Sequence, residues 1–256
     1  MPTHQVFVIA EAGVNHDGDI LKALKLIGTA KLAGADAVKF QLFDSQRLWG
    51  DDRIAHLQFD IRQMRTLAAY AKSLDIEFMC TPFGVPEVEL LAPLVKRMKI
   101  ASGCIRRTDL LEAVKATNMP VIMSTGMSDF EEVNDASRGF GDTHLTLLHC
   151  TSSYPCSIKD ANLAAMATLR YLDRPVGYSD HTQGITVAIA AAAMGATVIE
   201  KHMTLDRTAE GPDHRTSIEP EEFRVMVSGI RMVEEAIGDG RKCVMPCEME
   251  LRRAWK

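Results

Sequence analysis

The chain alternates between two kinds of segment, and this alternation limits what it can fold into. Short apolar runs occur at Val6–Ala10, Ala37–Phe40, Glu77–Cys80, Arg97–Ile100, Pro120–Met123, Leu145–His149, Pro175–Tyr178 and Thr197–Lys201. Amphipathic stretches separate them. Ile61, Met64, Ala68, Ala71 and Leu74 follow one helical stripe, and Phe223, Met226, Val227, Ile230 and Val233 follow another. The second stripe stops before Gly238, a good helix terminator. Alternating strand and helix predicts parallel strands joined by crossover helices. Eight such units predict an α/β fold, a closed (β/α)8 TIM barrel as a single domain over residues 1–238. Residues 239–256 read as a polar, charged tail or linker. The competing layout is an open doubly wound sheet. It would more often carry a G-x-G-x-x-G turn after the first strand, and the segment AEAGVNHDG lacks that spacing.

Composition narrows the function classes. The 256 residues carry a net charge of −5, and no Lys/Arg-rich run stands out, so nucleic acid is not an expected partner. A local cluster of Lys and Ser can still bind a small anion within an acidic protein. The longest apolar stretch, around Val187 to Ala196, is too short to span a bilayer, and no N-terminal signal pattern appears. The expectation is a soluble, cytoplasmic protein with no membrane partner. Of the six cysteines, Cys243 and Cys247 form a lone C-x3-C without a second pair, so free thiols are expected rather than structural zinc.

The polar residues that matter cluster at strand ends. Residues i and i+2 of a strand share a face, so Lys39/Gln41, Ser179/His181 and Glu200/His202 each place two polar groups on one face. In a barrel that face is the interior, whose top layer opens at the C-terminal rim. Polar pairs there are costly to bury unless they bind something. His181 and His202 end the last two strands, which would be neighbours. Two such imidazoles can hold a divalent metal, with water or substrate oxygens completing the shell. The competing reading is a pair of hydrogen-bonded core histidines.

Lys39 and Lys99 lie among apolar strand residues. They suit a phosphate or carboxylate clamp, or internal ion pairs with Glu11 or Glu200. Thr81, Ser102 and Ser124, just past strands three, four and five, can add hydroxyls to such a clamp. Glu11, ending strand one, is a candidate for proton transfer. Asp213 lies in a Gly-Pro-Asp turn that turn chemistry explains equally well. His16 reads as a turn or cap residue or as a substrate contact. His149 reads as a core residue or one that supports the site.

The motifs Ile9-Ala-Glu-Ala-Gly-Val-Asn-His-Asp-Gly18, Val38-Lys-Phe-Gln41, Cys80-Thr-Pro-Phe83, Lys99-Ile-Ala-Ser102, Ser124-Thr-Gly-Met127, Leu147-Leu-His-Cys-Thr151, Tyr178-Ser-Asp-His-Thr182, Ile199-Glu-Lys-His202 and Gly211-Pro-Asp213 occur in order. Together they resemble the catalytic barrel of the sialic acid (N-acetylneuraminate) synthase family. The resemblance implies a transferase that condenses phosphoenolpyruvate with an open-chain amino sugar of the N-acetylmannosamine kind. Phosphate would leave by C–O cleavage, giving a sialic-acid-type 3-deoxy-ulosonate. It also implies a divalent metal, manganese or magnesium, and a homodimer. By the same resemblance, His181 and His202 are the metal ligands. Lys39, Thr81, Lys99, Ser102, Ser124 and Ser179 surround phosphoenolpyruvate. Glu11, Gln41, Tyr154, Glu200 and Asp213 lie near the sugar, the metal or the reacting centre. Glu11, Lys39 and Glu200 are the catalytic candidates.

Three departures fall on the sugar side. Family members carry about 70–100 further residues, roughly half a domain. These form an antifreeze-like domain that supplies an arginine to the partner subunit's sugar, and the sequence reads as the barrel without it. The segment Asp44 to Leu57 is shorter than the family's loop over the sugar. Ser152, a candidate substrate contact, stands where the family has Asn. The alternatives are a non-catalytic or regulatory barrel that keeps the anion site, and a metal-dependent aldolase using free pyruvate.

Overall fold

A computed structural model describes residues 5–141 and 145–255. Eight parallel strands form a nearly closed barrel: β1 (Phe7–Gly13), β2 (Ala37–Leu42), β3 (Glu77–Pro82), β4 (Met98–Ile100), β5 (Val121–Ser124), β6 (Leu145–His149), β7 (Val176–Asp180) and β8 (Val198–His202). Their order is β3-β2-β1-β8-β7-β6-β5-β4, and every ladder is parallel. No ladder joins β3 to β4 among the described residues. That seam is tied at its base, where Arg97 donates to the Glu77 carboxylate at 2.7 and 3.1 Å and lies over the Phe7 ring.

The helices are α1 (Ile20–Leu32), α2 (Ser45–Trp49), α3 (Ile61–Ser73), α4 (Val85–Leu91), α5 (Thr108–Ala116), α6 (Phe130–Ser137), α7 (Ala165–Leu169), α8 (Thr186–Ala193), α9 (Pro220–Ile237) and α10 (Met249–Ala254). The predicted stripes are the faces that pack on the barrel. In α3, Met64, Leu67 and Ala71 are buried, and Asp60 and Gln63 close a capping box at its start. In α9, Phe223, Met226, Val227 and Ile230 are buried, each contributing about 1.5–3 kcal/mol. Pro220 begins α9, and Gly238, at φ 65°, ends it.

All eight expected strands are present; five begin one residue later than expected, and the differences that bear on the site lie at the C-terminal ends. β1 runs past Ala10 to Gly13, and β7 ends at Asp180, so His181 stands one residue beyond its strand rather than at its end. Thr81 and Ser124 lie within β3 and β5, not past them. Polar side chains at these positions mark an inner strand face, not a loop. The segment after β2 is also ordered, as α2 and a 3-10 turn at Ala55–Leu57.

The two faces of the strands build two cores. Outward residues such as Val8, Val38 and Ile100 pack against the helices. Inward, Ile9, Ala37, Met79, Ile122, Leu148 and Val198 form a dry plug inside the barrel. Above that plug the inner face turns polar. Beyond Gly238 the described residues are exposed, Cys243 and Cys247 among them, and all six cysteines are free. No described helix is long and apolar enough to cross a membrane.

Candidate active site

A cavity of about 470 Å³ opens above the plug, at the C-terminal ends of the strands. All of the site residues expected from sequence line it: Glu11, Lys39, Gln41, Thr81, Lys99, Ser102, Ser124, Ser152, Tyr154, Ser179, His181, Glu200, His202 and Asp213. His16 and His149 do not line it. His16 is fully buried and stacked on Phe59 at 3.9 Å, with Nδ1 accepting from the Gly18 amide, which is the turn-and-cap role. His149 donates from Nε2 to the Ala161 carbonyl at 2.9 Å and faces a smaller neighbouring cavity.

Parallel register brings the charges together. β1 pairs Glu11 with Lys39 on β2 and with His202 on β8. A bulge between Glu11 and Gly13 re-aims the end of β1. Gly13 sits there at φ +51°, where an added Cβ would lie 2.9 Å from Asp213 Oδ2, so the turn needs glycine.

The floor is an electrostatic network. Lys39 Nζ lies 2.6 Å from Glu11 Oε2 and 3.7 Å from Glu200 Oε2, and donates to Thr81 Oγ1 at 3.1 Å. Lys99 Nζ lies 3.8 Å from Glu200 Oε1 and donates to Ser124 Oγ at 2.6 Å. Gln41 donates to Glu11 Oε1 at 2.9 Å, and Ser179 donates to Glu200 Oε1 at 3.0 Å.

These surroundings separate the two carboxyls. Burial raises the Glu11 pKa above the usual carboxylate value, and the opposing pull of Lys39 does not overcome it. Burial also acts to raise Glu200, but Lys39 and Lys99 together outweigh it and bring Glu200 down to about 2. Glu200 therefore holds its charge while Glu11 protonates more readily. Burial lowers the Lys99 pKa; it also opposes the charge on Lys39, but Glu11 and Glu200 hold that lysine's pKa above its ordinary value. Lys39 is shared between Glu11 and Glu200, whereas Lys99 has Glu200 at 3.8 Å, which leaves its charge loosely paired and the floor suited to a further anion.

Beside the lysines, the β5 end and its following turn form a cradle. The Gly126 amide donates to Ser102 Oγ at 3.1 Å. A Cβ on Gly126 would meet Ser152 Oγ at 2.3 Å, Ser102 Oγ at 3.0 Å and Cys150 Sγ at 3.1 Å, so the cradle requires glycine. Ser152 Oγ is buried there with no hydrogen-bond partner, so this residue faces the cradle beside Ser102 rather than the sugar side where the sequence put it.

The histidines stand on the opposite side. Their ring centroids are 5.6 Å apart, and the Tyr154 ring packs 4.3 Å from His181. His181 Nδ1 donates to the Thr151 carbonyl at 2.8 Å, which leaves Nε2 unprotonated in the neutral ring. Burial, followed by the neighbouring His202, lowers the His181 pKa to about 3, so the ring stays neutral. Its Nε2 lies 3.4 Å from Ser179 Oγ, whose proton is directed to Glu200. His202 Nδ1 is buried without a hydrogen-bond partner, 3.7 Å from Asp213 Oδ2.

This donor set fits a divalent ion held by two imidazole nitrogens with positions left for oxygen ligands. No cluster of three His, Cys, Asp or Glu ligands is ready-made among the described residues, so an ion held there would take its remaining ligands from water or substrate.

Sequence reasoning missed two features. The first is an apolar wall over the cavity, where Leu48, Trp49, Ile54 and Leu57 join Val14, Phe43 and Phe83. Its signal was the apolar residues at 48, 49, 54 and 57 of a segment read only as short. The second lies behind the site. Asp180 and Lys201 point outward from β7 and β8 and form a fully buried pair at 2.8 Å. Asp180 Oδ1 also accepts from the Thr182 amide and hydroxyl, at 2.9 and 2.8 Å, and Lys201 donates to the Thr182 carbonyl. The turn carrying His181 is thereby pinned from behind.

Known proteins resemble this chain in sequence and fold. The NeuB family profile matches residues 26–242. The chain is 43% identical over 255 residues to an uncharacterized protein of Methanocaldococcus jannaschii, covering 96% of this chain and 76% of that protein. It is 42% identical to the N,N'-diacetyllegionaminic acid synthase of Legionella pneumophila, covering 96% of this chain and 77% of that one. The crystal structure of the N-acetylneuraminic acid synthetase of Leptospira borgpetersenii superposes with a TM-score of 0.93 at 37% identity, covering 98% of this chain and 92% of that chain. Fold and relatives define the class, a transferase-type synthase built on a (β/α)8 barrel. The chain belongs to the NeuB family.

Proposed function

We propose that this barrel condenses phosphoenolpyruvate with an open-chain N-acetylmannosamine-like amino sugar, forming a sialic-acid-type 3-deoxy-ulosonate and releasing phosphate. The observation that carries this reading is the floor, where Lys39 is ion-paired with Glu11 and Glu200 while the buried Lys99 meets Glu200 only at 3.8 Å, leaving positive charge loosely paired. A small polyanion balances that charge, and the cradle of Ser102, Ser124 and Ser152 offers hydroxyls to its oxygens.

The residues divide the work. Lys39 and Lys99 hold the carboxylate and phosphate of phosphoenolpyruvate and keep their charge stabilised throughout. This fixes the enol carbon toward the histidine side, where the sugar aldehyde lies. A divalent ion, manganese or magnesium, held by His181 and His202 would supply Lewis-acid polarisation of that aldehyde. The enol carbon bonds to the aldehyde carbon, and positive charge develops at the former enol ether carbon. Glu200, ionised and beneath that carbon, stabilises it. Water adds there, and Glu11, the more easily protonated of the two carboxyls, takes its proton. One proton reaches the former aldehyde oxygen to make its hydroxyl, the added hydroxyl gives up its own as the ketone forms, and the C–O bond breaks so that phosphate leaves with the bridging oxygen. Gln41 holds Glu11 in place, and Asp213 and Tyr154 contact the sugar.

Phosphate release measured with manganese and N-acetylmannosamine tests the reading. The expected result is release from phosphoenolpyruvate and no product from free pyruvate. Product from pyruvate, or no release with any aldose, contradicts it. We further propose a cytoplasmic homodimer, a location consistent with six free thiols. Sedimentation velocity checks the dimer, and a monomer at assay concentration overturns it.

A further inference from the structure

The turn after β1, Asn15-His16-Asp17-Gly18, reaches behind the cavity rather than into it. Val14 lines the cavity, and Asn15 is buried at 1% exposure outside it. Asn15 Nδ2 donates twice, to the Met203 carbonyl at 2.9 Å and to Ser217 Oγ at 2.8 Å. The Met203 carbonyl can only accept, which fixes the orientation of the amide. Ser217 passes its own proton to the Asp213 carbonyl at 2.6 Å. Asn15 is thereby tied to the residue after His202 and, through one hydroxyl, to Asp213. Its Oδ1 is buried without a partner, a cost that a side chain serving only to fill space would not carry.

These ties matter because the segment carrying Asp213 has little structure of its own. Between β8 and α9 it holds one 3-10 turn, His214–Thr216, and one bridge, Met203 to Ile218. A second tie comes from the same turn. His214 is fully buried, donates from Nε2 to Asp17 Oδ1 at 2.9 Å, and has Nδ1 2.7 Å from Thr204 Oγ1. The side chain placed by this clasp is Asp213, whose Oδ2 lies 3.7 Å from the unpartnered His202 Nδ1.

We infer that Asn15 is a positioning residue: by holding Met203 and Ser217 together it sets the spacing of His202 and Asp213, and so the metal and acceptor side of the site. The inference rests on the proposed condensation, in which His202 holds the ion and Asp213 contacts the sugar. Lys39 and Lys99 stand on β2 and β4, away from both bonds of the Asn15 amide, so the two sides of the site are separable.

Asn15→Ala and Ser217→Ala test it beside the native protein. Manganese binding without substrate, read from the free-ion signal in electron paramagnetic resonance, should weaken about 10- to 100-fold in Asn15→Ala, the range for groups that orient metal ligands. It should hold in Ser217→Ala, which breaks only the arm to Asp213. KM for the aldose that supports phosphate release should rise by about tenfold in both variants, the worth of one hydrogen bond, while KM for phosphoenolpyruvate stays put. Because the two residues act on Asp213 in series, the double variant should raise the aldose KM no further than Asn15→Ala alone. A residue that only stabilised the fold would lower the melting point and leave these constants unmoved. Manganese affinity and aldose KM unchanged in Asn15→Ala, or phosphoenolpyruvate KM rising with them, overturns the inference and leaves the condensation standing. If Asn15→Ala does not fold, an aldose KM unmoved in Ser217→Ala overturns it. If the native protein releases no phosphate with any aldose, the condensation falls, and manganese binding alone decides the tie to His202: weakened in Asn15→Ala it stands, unchanged it falls.

Discussion

β7 and β8 carry buried charge on both faces, and the two faces solve the problem differently. Outward, Asp180 and Lys201 are fully buried and fully paired, each charged group meeting defined partners within the chain. Inward, one residue away on each strand, Ser179, Glu200 and His202 belong to a network with buried polar atoms to spare. Glu200 Oε2 and His202 Nδ1 have no hydrogen-bond partner, and neither does Ser152 Oγ across the cavity. Leaving such groups unmet costs about 1–3 kcal/mol each. A satisfied pair holds a shape. An unsatisfied set holds capacity for a ligand, and the cost is carried by the surrounding barrel.

The sharpest way to break this contrast is to remove one group from each face. His202→Ala should lower turnover by about a thousand-fold or more, because a metal position is lost, while barely changing the unfolding midpoint. Steady-state kinetics beside thermal melts of the same sample check it. On the outer face the effect should reverse. Asp180→Asn leaves the Lys201 charge buried without its counter-ion and should destabilise the fold by about 3–5 kcal/mol in urea titrations. Replacing both partners, Asp180→Leu with Lys201→Met, should recover most of that loss. A double variant no better than the single one would mean that the pair does more than balance charge.

A smaller effect separates the two faces by pH. The Glu200 pKa is depressed from 4.5 to about 2, so its ionisation stabilises the folded state above pH 4.5. That contribution is lost as pH falls through the window toward 2. Glu200→Gln should therefore cost about 1–3 kcal/mol at neutral pH, and its difference from the native protein should shrink below pH 4.5. Melts at several pH values measure this, and a pH-independent difference would contradict the assigned shift. The smallest expected effect is that of Ser152→Ala. It removes an unpaired atom, so stability should hold or rise slightly, while KM for phosphoenolpyruvate rises up to about tenfold, the worth of one hydrogen bond.

The barrel was legible in the sequence because strands buried on both faces read as apolar runs, and their alternation with helical stripes leaves few folds open. Strand ends were less legible. At Glu11, Thr81, Ser124 and Ser179 the chain turns polar while still extended, since the inner face there serves the cavity. The i, i+2 spacing placed Lys39/Gln41 and Glu200/His202 correctly, because it follows from strand geometry alone. The outward pair was not legible. Asp180 and Lys201 sit between inward polar residues, and a sequence does not show which of several adjacent charges are neutralised by each other. The wall was missed for a related reason. Leu48, Trp49 and Ile54 follow no helical or strand period and acquire meaning only when α2 and the segment after it fold over the cavity.

On the proposed function, the inner face holds phosphoenolpyruvate so that its C–O bond breaks after carbon–carbon bond formation. Phosphoenolpyruvate labelled with oxygen-18 at the bridging position tests it most directly. The label should leave entirely in phosphate. Unlabelled phosphate, with the heavy oxygen retained in the carbon product, would contradict it.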